Sequence, residues 1–278
     1  VFIYMEFNAY KMDGLGNDFI IIDQRDRNTI LSNDQIIKIC DRKFLGCDQL
    51  IYIKKDNDLD AELEFYNSDG SKSDACGNGT RCVAHLLSKE NNKKEINLKV
   101  ASKTLKSKIF ENNLVETSIG SPKLNWKDIP LSKLSDTKNL KIKIIDEKDK
   151  EYFGGIAINV GNPHIIFFVD DIDNFNIEKI GPEIENHELF PEKCNVTLAK
   201  QINENLIRVK VWERGAGLTK ACGTAACATA VAANLGNSSE SKTEIEFSTG
   251  KLLIKIDEKK NIRMMGPVSQ IEKIKINI

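Results

Sequence analysis

The chain carries one short sequence pattern twice, and this internal repeat limits how it can fold more than any other feature. The first copy is DACGNGTRCVA at residues 74–84, and the second is KACGTAACATA at residues 220–230. Cys76 and Cys222 occupy equivalent places in these copies, 146 positions apart. A repeat of this kind predicts two halves that fold alike.

Three more pairs of short blocks support a duplication of the chain. They align at offsets of 145 or 146 positions: residues 16–21 with 161–166, 48–50 with 194–196, and 65–68 with 211–214. Each match is short when taken alone. Their common order and nearly constant offset together indicate that one half was duplicated to give the other.

Short runs rich in β-branched residues and bounded by Gly, Asn or Asp predict a chain made mostly of strands. An N-capped amphipathic helix is expected after Ser32, and two more helices are expected directly after the Ala-Cys-Gly elements, at 78–89 and 223–235. The predicted strands are 5–11, 19–23, 49–54, 62–67, 95–101, 113–119, 153–160, 165–169, 195–202, 206–212, 243–248, 251–257 and 262–266.

A Gly-Ser-Pro turn signal at residues 120–122 marks the boundary between the halves. We therefore expect an N-terminal domain at 1–120 and a C-terminal domain at 121–266. The last segment, 267–278, ends in alternating isoleucines. This alternation predicts a final strand, which we expect to return to the N-terminal domain.

The composition is that of a globular protein and excludes several classes of function. Lys and Arg number 40 against 41 Asp and Glu, so no excess charge indicates binding to nucleic acid or to an anionic membrane. The apolar run at 165–169 is far too short to span a membrane, and the N-terminal residues lack the features of a secretory signal. We therefore expect a cytoplasmic protein.

Seven cysteines in a chain without secretory features predict reduced thiols rather than disulfides. No metal site is expected, because the chain has no Cys-x-x-Cys pair and only three histidines. Five of the cysteines are predicted to be structural: Cys40, Cys47, Cys82, Cys194 and Cys227.

The repeated element has the chemistry of an anion site that also holds a reactive thiol. A helix that begins directly after the cysteine leaves backbone N–H groups free around it, and these groups bind anions such as carboxylates. The same positive helix end lowers the pKa of a thiol, so Cys76 and Cys222 are expected to have thiolate character. Gly77, Gly79 and Gly223 let the backbone approach a ligand closely.

Two such thiols suit the inversion of a stereocentre. We expect Cys76 and Cys222 on opposite sides of a cleft between the halves, where one removes a proton from a carbon and the other returns a proton to its opposite face. The helix starts would stabilise negative charge on the adjacent carboxylate. A single cysteine at a helix start is usually a small packing residue, but a matched pair with flanking glycines favours catalysis.

At these residues the chain closely resembles the diaminopimelate epimerases, which are cofactor-independent enzymes of lysine and cell-wall biosynthesis. The resemblance covers about residues 11–230 and is specific, because it rests on several separate motifs. They are KMDGLGNDFIIID, CDQL, YNSDGSKSDACGNGTRC, NVGNPH, CNVTLA and WERGAGLTKACGTAACA. The chain departs from the family at Ala225, where Gly is common, and at Cys47.

The resemblance implies an α+β fold of two pseudo-symmetric domains, each a mostly antiparallel, barrel-like sheet wrapped around a central helix. It implies that Cys76 and Cys222 interconvert LL- and meso-diaminopimelate, a small-molecule substrate, without a cofactor. It also implies a homodimer. Neither a pyridoxal site nor a nucleotide-binding motif is present in the sequence.

The resemblance also assigns roles to individual residues. Gly77, Asn78, Gly223 and Thr224 would bind the carboxylate beside the reacting carbon. His164 and Glu213 would modulate the two thiols. The distant end of the substrate would be held by Asn17, Asn67, Asn162, Asn195 and Arg214. Gln49 and Glu213 would be further polar groups of the site.

Three alternatives remain open at the level of sequence. One is racemisation of another amino acid, such as proline or glutamate. Arg214 and the asparagines indicate a substrate that is polar at both ends, which argues against proline. A second is a thiol redox protein in which Cys76 and Cys222 form a disulfide, although no redox motif is present. The third is a binding protein that kept the fold but lost the reaction.

Overall fold

A computed structural model describes residues 5–27, 29–73 and 76–278 of the chain. The chain divides into two compact units, unit 1 at 1–118 with 265–278 and unit 2 at 119–264. Within the described ranges, no helix is both long and apolar enough to cross a membrane.

Unit 1 begins with strands and contains two helices. In chain order its elements are β1 (Glu6–Gly14), β2 (Asn17–Asp23), α1 (Asn33–Cys40), β3 (Gln49–Lys54), β4 (Ala61–Asn67), β5 (Lys72–Ser73), α2 (Gly77–Asn91), β6 (Glu95–Val100), β7 (Lys103–Ile109) and β8 (Leu114–Gly120).

Unit 2 has a similar order of elements after an added hairpin. The elements are β9 (Ile142–Ile145), β10 (Glu151–Gly154), β11 (Ile156–Asn159), β12 (Pro163–Phe168), α3 (Ile177–Glu185), β13 (Asn195–Asn203), β14 (Leu206–Glu213), β15 (Gly217–Thr219), α4 (Gly223–Ala233), β16 (Ser241–Phe247), β17 (Gly250–Ile256) and β18 (Ile262–Pro267). The last strand, β19 (Glu272–Asn277), pairs antiparallel with β1 of unit 1.

The strand pairings confirm that the two units share one topology. In unit 1, β1–β2 is antiparallel, β2–β3 parallel, β3–β4 antiparallel and β4–β6 parallel. In unit 2 the same sequence of directions is found for β11–β12, β12–β13, β13–β14 and β14–β16. The duplication predicted from the sequence is therefore present in the fold, which is α+β as expected.

Each unit buries one central helix almost completely. Every residue of α2 from Asn78 to Ser88 is buried, and the helix packs against β1, β2, β6 and β7. In α4 the small residues from Ala225 to Ala232 are buried against β12, β13, β16 and β17. A helix that is buried on all sides needs small or apolar residues all round, which explains the composition of both repeats.

The helices α1 and α3 each occupy the crossover between two parallel strands. The predicted cap of α1 is confirmed, because the Ser32 hydroxyl accepts from the Gln35 backbone while the Gln35 side chain accepts from the Ser32 backbone. Helix α3 is not predicted by the sequence, because Gly181 and Pro182 lie in its middle and are typical of a turn.

Two other differences have local causes. The predicted strand 153–160 is divided into β10 and β11, because Gly154 and Gly155 have φ values of 102° and 123° that a regular strand does not allow. The strands β7 and β9 were not predicted, since β7 is largely exposed and polar and β9 has only four residues.

The backbone at Gly79 of α2 is packed so closely that a side chain does not fit without a shift of its neighbours. A Cβ at this position would lie 2.8 Å from Cδ1 of Ile51 and 2.9 Å from Cε1 of Phe65. Gly79→Ala gains up to about 1 kcal/mol of helix propensity, but overpacking of a buried core costs about 1–3 kcal/mol. We expect a net loss in the free energy of unfolding, measured by urea titration followed by circular dichroism.

The control is Lys89→Ala on an exposed position of the same helix, for which we expect a change within about 0.5 kcal/mol. If Gly79→Ala were as stable as this control, the close packing of the first turn of α2 would be wrong.

Candidate active site

Both cysteines of the repeat are the residues that cap the central helices. Cys76 has φ −141° and ψ 115°, and Cys222 has φ −129° and ψ 112°. The first helical hydrogen bonds run from the Thr80 N–H to the Cys76 carbonyl at 2.9 Å and from the Ala226 N–H to the Cys222 carbonyl at 3.0 Å. The N–H groups of residues 77–79 and 223–225, which lie between each cysteine and the first donor, therefore have no acceptor within the helix.

The predicted carboxylate-binding residues lie at these helix starts. Gly77 and Asn78 are the first two residues of α2, and Gly223 and Thr224 are the first two of α4. The Thr224 hydroxyl lies 3.4 Å from Sγ of Cys222. Each start thus combines N–H groups that have no acceptor within the helix with the positive end of the helix dipole, which favours bound anions and the thiolate form of a cysteine.

Three predicted amide side chains lie at one edge of the sheet in unit 1. Asn17 begins β2, Gln49 begins β3 and Asn67 ends β4, and Gln49 is directly opposite Asn67 in the strand register. The amide nitrogen of Asn17 donates to Sγ of Cys76 at 3.7 Å. The Gln49 amide nitrogen donates to Oδ1 of Asn67 at 2.9 Å, and the Asn67 nitrogen donates to the Ser71 hydroxyl at 3.0 Å.

Two amide oxygens at this edge have no donor among the described residues. Oδ1 of Asn17 and Oε1 of Gln49 are buried and accept no hydrogen bond from the described part of the protein. Buried amide oxygens are normally satisfied, because leaving one without a donor costs about 1–3 kcal/mol. A ligand ammonium group would supply such donors.

Arg81 is a site feature that the sequence reasoning missed. It is fully buried on α2, and its Nη2 donates to Oδ1 of Asn78 at 2.8 Å. Its equivalent in the repeat is Cys227 on α4, so only the first copy has a guanidinium here. A charged side chain at position 81, where the second copy of the repeat has Cys227, was the available signal, because arginine is rarely buried unless it is paired.

In unit 2, His164 determines the orientation of Asn162. The His164 side chain is fully buried, and burial, aided by the positive charge of Arg214, lowers its pKa to about 3. The neutral ring lies with Nε2 2.8 Å from Oδ1 of Asn162, so Nε2–H donates to that oxygen. The Asn162 NH₂ group is then left to donate elsewhere.

Asn195 and Arg214 are joined through the backbone. The Asn195 side chain is buried, its nitrogen donates to the Pro163 carbonyl at 2.9 Å, and its Oδ1 accepts from the Arg214 N–H at 3.0 Å. These contacts fix the start of β13 against the end of β14. The Arg214 guanidinium donates from Nη1 to the Glu192 carbonyl at 3.1 Å.

Glu213, the last residue of β14, is held by the neighbouring strand. Its Oε1 accepts from the Thr219 hydroxyl at 2.5 Å, and Thr219 ends β15, three residues before Cys222. Glu213 is therefore connected to the short segment that leads into α4. No group of three or more His, Cys, Asp or Glu side chains is arranged for a metal ion among the residues that the structure describes.

The other cysteines lie inside the protein. Burial raises the pKa of the Cys82 and Cys194 thiols, which keeps them protonated. Sγ of Cys47 lies 3.4 Å from Sγ of Cys40, the last residue of α1, and both side chains are buried in one apolar cluster. These positions are typical of packing residues.

The buried His164 generates the second prediction. Because its pKa is lowered from 6.5 in the folded state, the unfolded chain takes up this proton first as the pH falls. The contribution of His164 to stability is therefore lost as the pH falls through about 6.5 towards 3, by about 2 kcal/mol between pH 7 and pH 5. Urea titrations at both pH values measure this loss.

The matched variant is His164→Gln, whose amide can still donate to Asn162 but does not titrate. We expect its free energy of unfolding to fall by about 2 kcal/mol less than that of the wild type over the same interval. Equal losses in the two proteins would show that His164 is not held neutral.

Comparison of this sequence with known proteins identifies its family. The family profile described as diaminopimelate epimerase matches residues 9–125 and 156–271. A diaminopimelate epimerase of Pelagibacter ubique is 69% identical over 274 residues, covering 99% of this chain and 100% of that protein. A diaminopimelate epimerase of Acidiphilium cryptum is 40% identical, covering 94% of this chain and 93% of the relative.

Solved structures share the fold at low sequence identity. A phenazine biosynthesis protein of Bacillus anthracis has a TM-score of 0.70 at 14% identity and covers 99% of this chain and 100% of its own. A hydroxyproline epimerase of Agrobacterium vitis has a TM-score of 0.69 at 11% identity, covering 98% and 93%. The match to the family profile and the identity to these relatives agree with the repeated cysteine caps. This chain therefore belongs to the diaminopimelate epimerase family.

Proposed function

We propose that this protein interconverts LL- and meso-diaminopimelate without a cofactor, as a step in the biosynthesis of lysine and peptidoglycan precursors. The observation that carries the proposal is the pair of cysteines that cap two buried helices with nearly the same backbone conformation. Membership of the family supports the choice of substrate.

In the proposed reaction, one cysteine acts as a thiolate base and the other as a thiol acid. The thiolate of Cys76 or Cys222 removes the α-proton, and the C–H electron pair moves into an enolate of the adjacent carboxylate. The other thiol then protonates the opposite face of the carbon. The roles of the two sulfurs are exchanged when the reaction runs in reverse.

The developing negative charge requires donors that are already in place. We assign this role to the backbone N–H groups of Gly77, Asn78, Gly223 and Thr224, which begin the two central helices. These groups have fixed positions, so little reorganisation is needed when the charge forms. The buried Arg81 supports the arrangement by holding the side chain of Asn78.

The distant amino-acid end of the substrate would be bound by amides and one guanidinium. Arg214 suits the distal carboxylate because its planar fork can bond to both oxygens. The buried oxygens of Asn17 and Gln49 suit an ammonium group. Asn67 and Asn162 supply further amide groups, while Asn195 acts on the site through the backbone of Arg214.

His164 and Glu213 are proposed to modulate the thiols as polar groups. The pKa of His164 is far below neutrality, so its contribution is a hydrogen bond and not a positive charge. Glu213 would act through Thr219 and the segment before Cys222. We also propose that the protein is cytoplasmic and works as a homodimer, as the family resemblance implies.

The third prediction tests the two-thiol reaction with reduced protein in deuterium oxide. Wild type should invert LL-diaminopimelate and place deuterium on the α-carbon. Cys76→Ala and Cys222→Ala should each lower the rate of inversion by at least about 100-fold, because one of the two proton transfers is lost. Stereochemistry is followed by chiral chromatography and deuterium by mass spectrometry.

The matched control is Cys227→Ala, which removes a thiol one turn further along α4 and should still invert the substrate. Each single variant keeps one sulfur. If it exchanges the α-proton of only one stereoisomer and does not invert it, that sulfur is assigned to one face of the carbon. If both variants kept wild-type inversion, the thiols would not be the acid and base. If only another amino acid exchanged, the substrate would be wrong.

A further inference from the structure

Glu185, the last residue of α3, has its carboxylate buried against the loop that follows β14. Only 6% of the surface of Glu185 is exposed. Oε2 accepts from Nε1–H of Trp212 at 2.7 Å, and Oε1 accepts from the backbone N–H of Gly215 at 2.9 Å. Both carboxylate oxygens are thus engaged by N–H donors that carry no charge.

The loop that Glu185 contacts carries Arg214 and directly follows Glu213, two residues of the proposed site. Glu213 pairs with Gly217 across the hairpin between β14 and β15, which leaves residues 214–216 as its loop. Gly215 and Gly217 have φ values of 75° and 81°, in the region that favours glycine. Such a loop has much conformational freedom of its own, so its position depends on what anchors it.

Two hydrogen bonds hold the backbone of Arg214, one to the peptide group before its Cα and one to the peptide group after it. Its N–H donates to Oδ1 of Asn195, and the N–H of the next residue, Gly215, donates to Glu185. Two consecutive peptide groups are therefore bound to side chains from β13 and from α3. With the backbone so constrained, the origin and direction of the arginine side chain are constrained as well.

The position of α3 is itself adjusted to this contact. A Cβ at Gly181 would lie 2.5 Å from Cγ of Trp212, so the indole ring lies directly against the helix backbone. The ring both packs on α3 and donates to the carboxylate at its end. This explains why a glycine is retained within a short helix, where it otherwise costs about 1 kcal/mol.

We propose that Glu185 is a positioning residue for substrate binding, which fixes the loop 214–216 so that Arg214 meets the distal carboxylate in the correct orientation. This inference rests on the proposed function, since it takes Arg214 as a substrate-binding residue. Glu185 itself touches no substrate. Its effect is transmitted through the N–H of Gly215.

The fourth prediction uses Glu185→Gln, which conserves shape but offers only one acceptor oxygen. One of the two donors, from Trp212 or Gly215, must then face the amide NH₂ group. We expect kcat/KM for diaminopimelate to fall by about 10- to 100-fold, mainly through a higher KM, because the arginine is misplaced. Glu183→Gln, on an exposed position of the same helix, is the matched control and should change neither constant.

A double-mutant cycle with Arg214→Ala separates positioning from a general effect on stability. If Glu185 acts through the arginine, Glu185→Gln should cost less than about threefold in kcat/KM when Arg214 is already absent. The same fold loss in both backgrounds would overturn the inference. So would a lower melting temperature with unchanged KM in Glu185→Gln.

Hydrogen exchange provides a readout that does not depend on the substrate. The amide of Gly215 should exchange at least about tenfold faster in Glu185→Gln than in Glu183→Gln, while the amides of β14 remain protected. Unchanged protection of Gly215 would overturn the inference even if the kinetics changed. A wild-type protein that leaves diaminopimelate unaltered would instead overturn the proposed function, and the exchange data would still decide whether Glu185 anchors the loop.

Discussion

The burial of one helix against the strands of each unit is the constraint on which the rest of the structure depends. In unit 1 the first turn of α2 packs so tightly against Phe19, Ile51 and Phe65 that no Cβ fits at Gly79. This packing places the start of the helix, and Cys76 with it, at the edge of the sheet where β2 and β3 begin. The same arrangement in unit 2 places Cys222 at the start of α4.

Several of the predicted site residues are held by partners within their own unit. The Gln49 amide is oriented by Asn67, the Asn162 amide by His164, and the Arg214 backbone by Asn195. A site that is ordered in advance loses less conformational entropy on binding. It also needs less movement when charge forms in the transition state.

The two halves share a scaffold but differ in the residues that act. Equivalent positions hold Gln49 and Asn195, Asn67 and Glu213, and Arg81 and Cys227. A substrate with two amino-acid ends of which only one reacts needs this difference, because a fully symmetric site could not tell the ends apart. The duplication supplies two equivalent cysteines, and under the proposed function the substituted positions would supply recognition of the substrate.

The sequence by itself determined the duplication, the α+β class, the cap of α1 and the helices that follow both cysteines, because these depend on local patterns and on repetition. It predicted neither α3 nor the break between β10 and β11, where glycines are set by distant packing or by backbone conformation. Only the tertiary structure decided how Asn195 and Glu185 are engaged. Their partners lie on other strands and loops, so each hydrogen bond depends on strand register and burial, which no local pattern encodes.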